Sequence, residues 1–254
     1  MLESSTPIGA GAAADDAARA SVNPGPSAVN AGPSAPASVG LRERKKQQTR
    51  LRIIEVALDL CDAQGFDATT VEQIANGADV SPRTINRYFD SKEDIVLGPV
   101  KDFGLAIAEC LRGLPVTGNE LQSLREAFLQ VVDRAAVSVD GPISFRRFQQ
   151  MQRILRSSPT VSAQSMELAD DKNAAIADAI AERLGTQPDA LPVRLVVGAW
   201  QLIGHLSMEC TNSIFDDADT SAAAADARNA FTTSFDEFMR VCTGRIDTVA
   251  AENG

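Results

Sequence analysis

Apolar residues recur along most of this chain at spacings of three and four, and no stretch alternates apolar with polar as a half-buried strand requires. The first such stripe holds Ile53, Ile54, Ala57, Leu58, Leu60 and Cys61. It predicts a helix over 47–64 that stops at Gly65, a residue able to take the left-handed backbone of a helix end. Val71, Ile74, Ala75 and Ala78 give a second helix. Thr69 and Thr70 precede it as hydroxyl caps, with Glu72 and Gln73 in its first turn. Ala78-Asp79-Val80 reads as a tight turn, because Asp tolerates the left-handed region at modest cost. Ser81 then caps a short third helix opened by Pro82, whose missing N–H costs nothing there.

In that third helix Ile85 and Phe89 lie four apart and point inward, which leaves Arg83, Thr84, Asn86, Arg87 and Tyr88 on the outer surface. A short helix presenting hydroxyls, an amide and guanidinium groups matches what a DNA major groove accepts. A fourth helix is predicted over 92–111, capped by Ser91 and carrying Val96, Leu97, Val100, Phe103, Ile107 and Leu111. Its start steadies the small N-terminal core and its end faces the rest of the chain, so it is the expected mechanical link.

Further helices are predicted at 120–139, 142–156, 161–184, 188–213 and 221–243. Pro115, Gly118, Gly141-Pro142, Ser158-Pro159, Gly185 with Pro188 and an acidic run at 215–219 separate them. The fold class is therefore all-α. An N-terminal three-helix helix-turn-helix DNA-binding domain is followed by a helical ligand-binding and dimerisation domain, about nine helices in all. The expected divisions are a disordered tail over 1–40, the DNA-binding domain with its basic lead-in over 41–98, the helical domain over 99–245 and a flexible terminus over 246–254. Residues 1–40 are dominated by Ala, Ser, Pro and Gly, and cannot bury enough surface to offset the entropy of ordering.

Net charge changes the picture only once it is located. The chain carries −10 overall. Yet Arg42, Arg44, Lys45, Lys46, Arg50 and Arg52 crowd one short segment against a single Glu43. Local field, not the total, governs contact with phosphate. This segment either begins a solvated helix or acts as an arm that follows phosphates or enters the minor groove.

The four cysteines, Cys61, Cys110, Cys210 and Cys242, lie far apart without metal-ligand spacing and read as small buried hydrophobes in a reducing compartment. No apolar run is long enough to span a bilayer and no signal peptide is evident, so a cytoplasmic location without a membrane partner is expected. His205, the only histidine, sits among Ile203, Leu206 and Met208 and reads as a core or interface group. No catalytic or metal constellation assembles around it, and there is no phosphate-binding glycine loop; neither an enzyme nor a cofactor is expected.

The middle helices place Phe103, Ile107, Leu111, Phe128, Val132, Phe145 and Phe148 at helical spacing, with Gln149 and Gln152 among them. Core packing is the ordinary role of such residues, but an apolar wall with a few polar groups also suits a small ligand. The later helices carry Trp200, Ile203, Phe231, Phe235 and Phe238, beside small residues that allow close helix approach. This suits either internal packing or a four-helix interface between two subunits.

The stretch 69–94 resembles the TetR family of transcriptional regulators. The match runs through Thr70, Val71, Ile74, Ala75, Ala78, Val80, Ser81, Thr84, Tyr88, Phe89, Ser91, Lys92 and Glu93. It departs at Asp79 and Arg83, where that pattern has Gly, and at Asn86, where it has Tyr; the last two alter the surface meeting DNA. The resemblance implies a homodimer paired through its last two long helices, a palindromic double-stranded operator and usually repression lifted by a small, largely apolar effector. It also implies DNA contacts by Arg44, Lys45, Arg50, Thr70, Ser81, Arg83, Thr84, Asn86, Arg87, Tyr88 and Lys92. More loosely, 145–161 and 183–195 resemble members thought to bind acyl-CoA-like effectors, with an arginine at the pocket mouth holding phosphate. An architectural DNA binder without effector, or a small-molecule carrier with a vestigial DNA-binding domain, are the alternative readings.

Overall fold

A computed structural model describes residues 36–138, 141–167, 169–211 and 219–242; among these the regular elements are all helices. They run α1 (Pro36–Gln64), α2 (Val71–Gly77), α3 (Pro82–Ile85), α4 (Lys92–Val96), α5 (Gly98–Gly113), α6 (Glu120–Val137), α7 (Phe145–Ser157), α8 (Pro159–Glu167), α9 (Ala169–Leu184), α10 (Leu191–Glu209) and α11 (Thr220–Cys242). These eleven exceed the expected nine because two segments read as single helices each carry two of them among the described residues. The helix expected over 92–111 breaks at Leu97, since Pro99 lacks the N–H that would reach back to Ile95. The segment expected as 161–184 holds α8 and α9 on either side of residue 168, which lies outside the described residues. Helix α1 is longer than expected, so the basic segment is helix and not a loose arm. Residues 1–35 of the tail and the terminus at 246–254 lie outside the described residues.

Local chemistry explains the N-terminal turns. Thr70 accepts the Gln73 amide at 3.2 Å while the Gln73 side chain accepts the Thr70 amide at 2.9 Å, a reciprocal capping box. Thr69 does not cap; its hydroxyl donates to the Gly65 carbonyl at 2.9 Å. Asp79 takes φ +56°, the left-handed turn between α2 and α3. Ser81 accepts the Thr84 amide and starts α3. Where α5 begins, a Cβ on Gly98 would lie 2.6 Å from Ile54 Cδ1, so glycine lets the joint press against α1.

Two apolar cores result. One gathers Ile53, Ile54, Leu58, Ile74, Ile85, Phe89, Ile95 and Leu97 from α1–α4, and is closed by Met151 and Ile154 of α7 and Val161 of α8. The other joins α5, α6, α9, α10 and α11 around Phe103, Leu111, Val131, Ile180, Ile203 and Phe231. Phe148 packs against both. Helix α7, distant in sequence, thus completes the core that holds the helix-turn-helix.

Candidate functional site

Helix α3 ends at Ile85, earlier than expected, and the turn at 86–88 continues its outer surface: Arg83, Asn86 and Arg87 are exposed, while Thr84 and Tyr88 are half-buried. Ile85 and Phe89 anchor the helix from below. Arg87 lies over the Tyr88 ring at 5.4 Å, which steadies its guanidinium. The Ser81 and Thr84 hydroxyls meet at 2.9 Å, and Thr70 caps α2 at the same end of the motif. Arg44 and Lys45 are exposed on the leading turns of α1, a basic ridge continuous with the helix.

Two residues expected among the DNA contacts turn inward. Arg50 binds both oxygens of the Asp102 carboxylate, at 2.8 and 2.9 Å, and packs over Phe89. Burial pushes the Asp102 carboxyl above its usual range even though Arg50 opposes the shift. Lys92 donates to the Phe66 and Thr69 carbonyls, both at 2.7 Å, and sits 4.0 Å over the Phe66 ring. Both cations therefore fasten elements of the domain together.

Above the joint between α4 and α5 lies a cavity of about 560 Å³. Phe103, Ile107, Phe128, Val132, Phe145, Phe148 and Gln152 line it, as expected from their spacing. Leu111 is fully buried in the adjoining core, and Gln149 faces a separate polar cleft with Asp62, Arg146, Gln150 and Arg153. Trp200 and Phe231, expected at a subunit interface, instead line the cavity, and Ile203 and Phe235 belong to the subunit's own core; only Phe238 keeps partial exposure. Sequence spacing missed Leu97, Val100, Met151 and Asn173 as cavity walls. The Gly98-Pro99 pair was the available sign that the chain turns there.

The outward face of α10 carries an exposed apolar stripe. Leu191, Leu195, Leu202 and Leu206 are exposed at 67%, 64%, 48% and 43%, and exposed Gly198 continues the stripe. His205 is also exposed, 3.3 Å from Glu209, so of the core and interface positions expected for it the core one does not hold. Cys61 is buried, and burial raises its thiol pKa. Cys210 and Cys242 are exposed, against the expectation of buried thiols. No helix among the described residues is long and apolar enough to cross a membrane.

A capped helix-turn-helix with an exposed basic third helix, set beside a helical domain holding one sizeable cavity, is the architecture of a one-component DNA-binding regulator. Comparison with known proteins agrees. Residues 53–98 match the model of bacterial regulatory proteins of the tetR family, and residues 119–207 match the MftR C-terminal domain. The chain is 34% identical to the HTH-type transcriptional regulator TcmR of Streptomyces glaucescens over 178 residues, 68% of this chain and 77% of that protein. It is 31% identical over 162 residues to a candidate mycofactocin biosynthesis transcriptional regulator, MftR, of Mycobacterium tuberculosis, covering 63% of this chain and 77% of the relative. Among solved structures, Thermus thermophilus FadR, a TetR-family repressor crystallised with lauroyl-CoA, aligns at TM-score 0.43 and 20% identity over 81% of this chain and 99% of its own. The chain belongs to the TetR family of transcriptional regulators.

Proposed function

We propose that this protein is a ligand-responsive repressor that grips a palindromic operator as a homodimer and releases it when a small molecule fills the cavity. One observation carries this reading. Leu97 and Met151 are each fully buried in the core that holds the recognition helix, and each also lines the cavity. A ligand that displaces either wall shifts the support of α3 directly. Arg83 and Asn86 suit guanine and adenine edges, respectively, and Arg87 with Arg44 and Lys45 suits phosphate. The leucine stripe of α10 supplies a self-complementary helix face for pairing.

Two recognition helices in a dimer must reach half-sites about 34–36 Å apart, so a small tilt at the α4–α5 joint ends two-handed binding. Ligand and operator then compete through conformation, and each weakens the other by the same factor. Selecting duplexes from a random pool with the full chain tests the DNA half of the reading. The expected product is a palindrome with half-sites about one turn apart, preferred roughly 10³-fold or more over bulk DNA. Uniform affinity for all duplexes would leave only an architectural binder. Leu195→Asp with Leu202→Asp should yield folded monomers by sedimentation, with operator affinity greatly reduced; dimers that persist would move the interface elsewhere.

A further inference from the structure

The lining of the cavity defines its ligand more narrowly than an apolar shape does. Six of the chain's twelve aromatic side chains line this single space. They form two groups. Phe103 and Phe145 each meet Phe148, with centroids at 5.1 and 5.7 Å; Phe128, Trp200 and Phe231 meet one another at 4.2–5.4 Å. No ring contact joins the two groups among the described residues, so the lining carries two separate aromatic walls. Flat rings gain from offset and edge-on contact with such walls beyond the area they bury.

Charge is the second discriminant. Among the described lining residues there is no carboxylate, ammonium or guanidinium; the polar members are amides and hydroxyls, with His205 the one titratable group. No arginine of α7 is among the described lining residues, and three of the four have partners elsewhere. Arg146 pairs with Glu55, Arg147 donates to the Gly141 carbonyl and Arg153 pairs with Asp62. A charged ligand entering this space would lose its hydration and meet no permanent counter-charge among the described lining residues, a cost that binding rarely recovers. The Gln152 and Gln201 amides remain as neutral groups able to orient hydroxyls or carbonyls.

We infer that the effector is a neutral, flat, polycyclic aromatic molecule bearing hydroxyl or carbonyl groups, and not an acyl-CoA or another anionic amphiphile. This rests on the reading of the cavity as the effector site. It replaces the expected phosphate-holding arginine, which is not found among the described lining residues.

Trp200 is the chain's only tryptophan and lines the cavity, so its fluorescence reports occupancy. The full chain is titrated with 2-hydroxymethylanthraquinone, with anthraquinone-2-carboxylate, a near-isostere carrying one negative charge, and with lauroyl-CoA. The neutral compound should quench Trp200 and bind roughly tenfold or more tighter than its carboxylate partner. In Gln152→Arg, and independently in Gln201→Arg, that preference should reverse, an outcome that mere loss of packing does not produce. Failure of the neutral compound to bind, or equal or tighter binding of the carboxylate or lauroyl-CoA, would overturn the inference. Operator affinity is measured separately in the same samples. A neutral compound that binds yet leaves operator affinity unchanged would uphold the ligand class and instead defeat effector control.

Discussion

Gln150 donates a 2.8 Å hydrogen bond to the Asp59 carboxylate, joining α7 to α1 across 91 positions of chain. The same offset pairs Arg146 with Glu55 at 3.6 Å and Arg153 with Asp62 through two nitrogens. A constant offset over one face means that the two helices run in the same direction, joined by three polar rungs. The opposite face of α7 presents Phe145, Phe148 and Gln152 to the cavity. The helix that lines the cavity is therefore the one clasped to α1 of the helix-turn-helix domain.

If this clasp transmits the signal, Asp62→Asn with Arg153→Gln should reduce the mutual weakening of cavity ligand and operator severalfold while leaving each separate affinity almost unchanged. Partly exposed ion pairs contribute only about 0.2–1 kcal/mol, so the melting temperature should move by only a few degrees. The charge swap Asp62→Arg with Arg153→Asp should restore coupling. Titrations of 2-hydroxymethylanthraquinone with and without operator read the effect; unchanged coupling in the neutral pair would confine the rungs to structure.

Asp102 gives a pH signature. Its carboxyl is held above the ordinary range by burial, so the folded state binds its proton more tightly than the unfolded state does. The stability it contributes is present below the unfolded value near 3.8 and is lost as pH rises through the higher folded value. Asn at this position mimics the protonated form. The stability of wild type relative to Asp102→Asn, from urea unfolding at stepped pH, should therefore fall as pH rises through that window. A relative stability that rises there would mean that Arg50 outweighs burial.

Lys92 separates structure from DNA contact. Its ammonium makes two carbonyl hydrogen bonds and a ring contact, so Lys92→Ala should cost about 1.5–3 kcal/mol in denaturant unfolding without DNA present. A variant of native stability with weakened binding to every duplex would return Lys92 to the phosphate-binding set.

Base-reading and phosphate roles, proposed above for the outer residues, would differ in their salt dependence. Arg83→Ala should cost about 1–3 kcal/mol and relax preference at one operator position. Replacing Arg44 and Lys45 with alanine should weaken all duplexes alike and flatten the salt slope by roughly 0.9 for each phosphate no longer neutralised. Uniform weakening from Arg83→Ala, or an unchanged slope from the double variant, would reassign them.

The helix-turn-helix was legible because its signals are local: Thr70 with Gln73, Asp79 at the turn and Ser81 before Pro82 fix caps and backbone within a few residues. The inward turn of Arg50 and Lys92 was not, since their partners lie 52 residues away, or 23 and 26. Helix α10 defeated its reading for a different reason. It is apolar on nearly every side, so spacing alone does not distinguish Trp200, which meets a cavity, from Leu195 and Leu202, which meet solvent in the single subunit. Seven of the nine expected cavity residues were found because aromatic side chains at helical spacing fix a face; Leu111 and Gln149 occupy that spacing but point past the opening.

The unbroken run of α1 turns the clasp into a lever. Its rungs stand on Glu55, Asp59 and Asp62, while Arg44 and Lys45 ride the same rod some fifteen residues earlier. At about 1.5 Å of rise per residue those points are roughly 22 Å apart, so a pivot of about 5° at the clasp sweeps the basic end through ~2 Å. That travel is comparable to the difference between a made and a broken salt link to phosphate. In the proposed mechanism, a disturbance at the cavity too small to unseat α3 would still loosen a flanking phosphate contact made by Arg44 or Lys45.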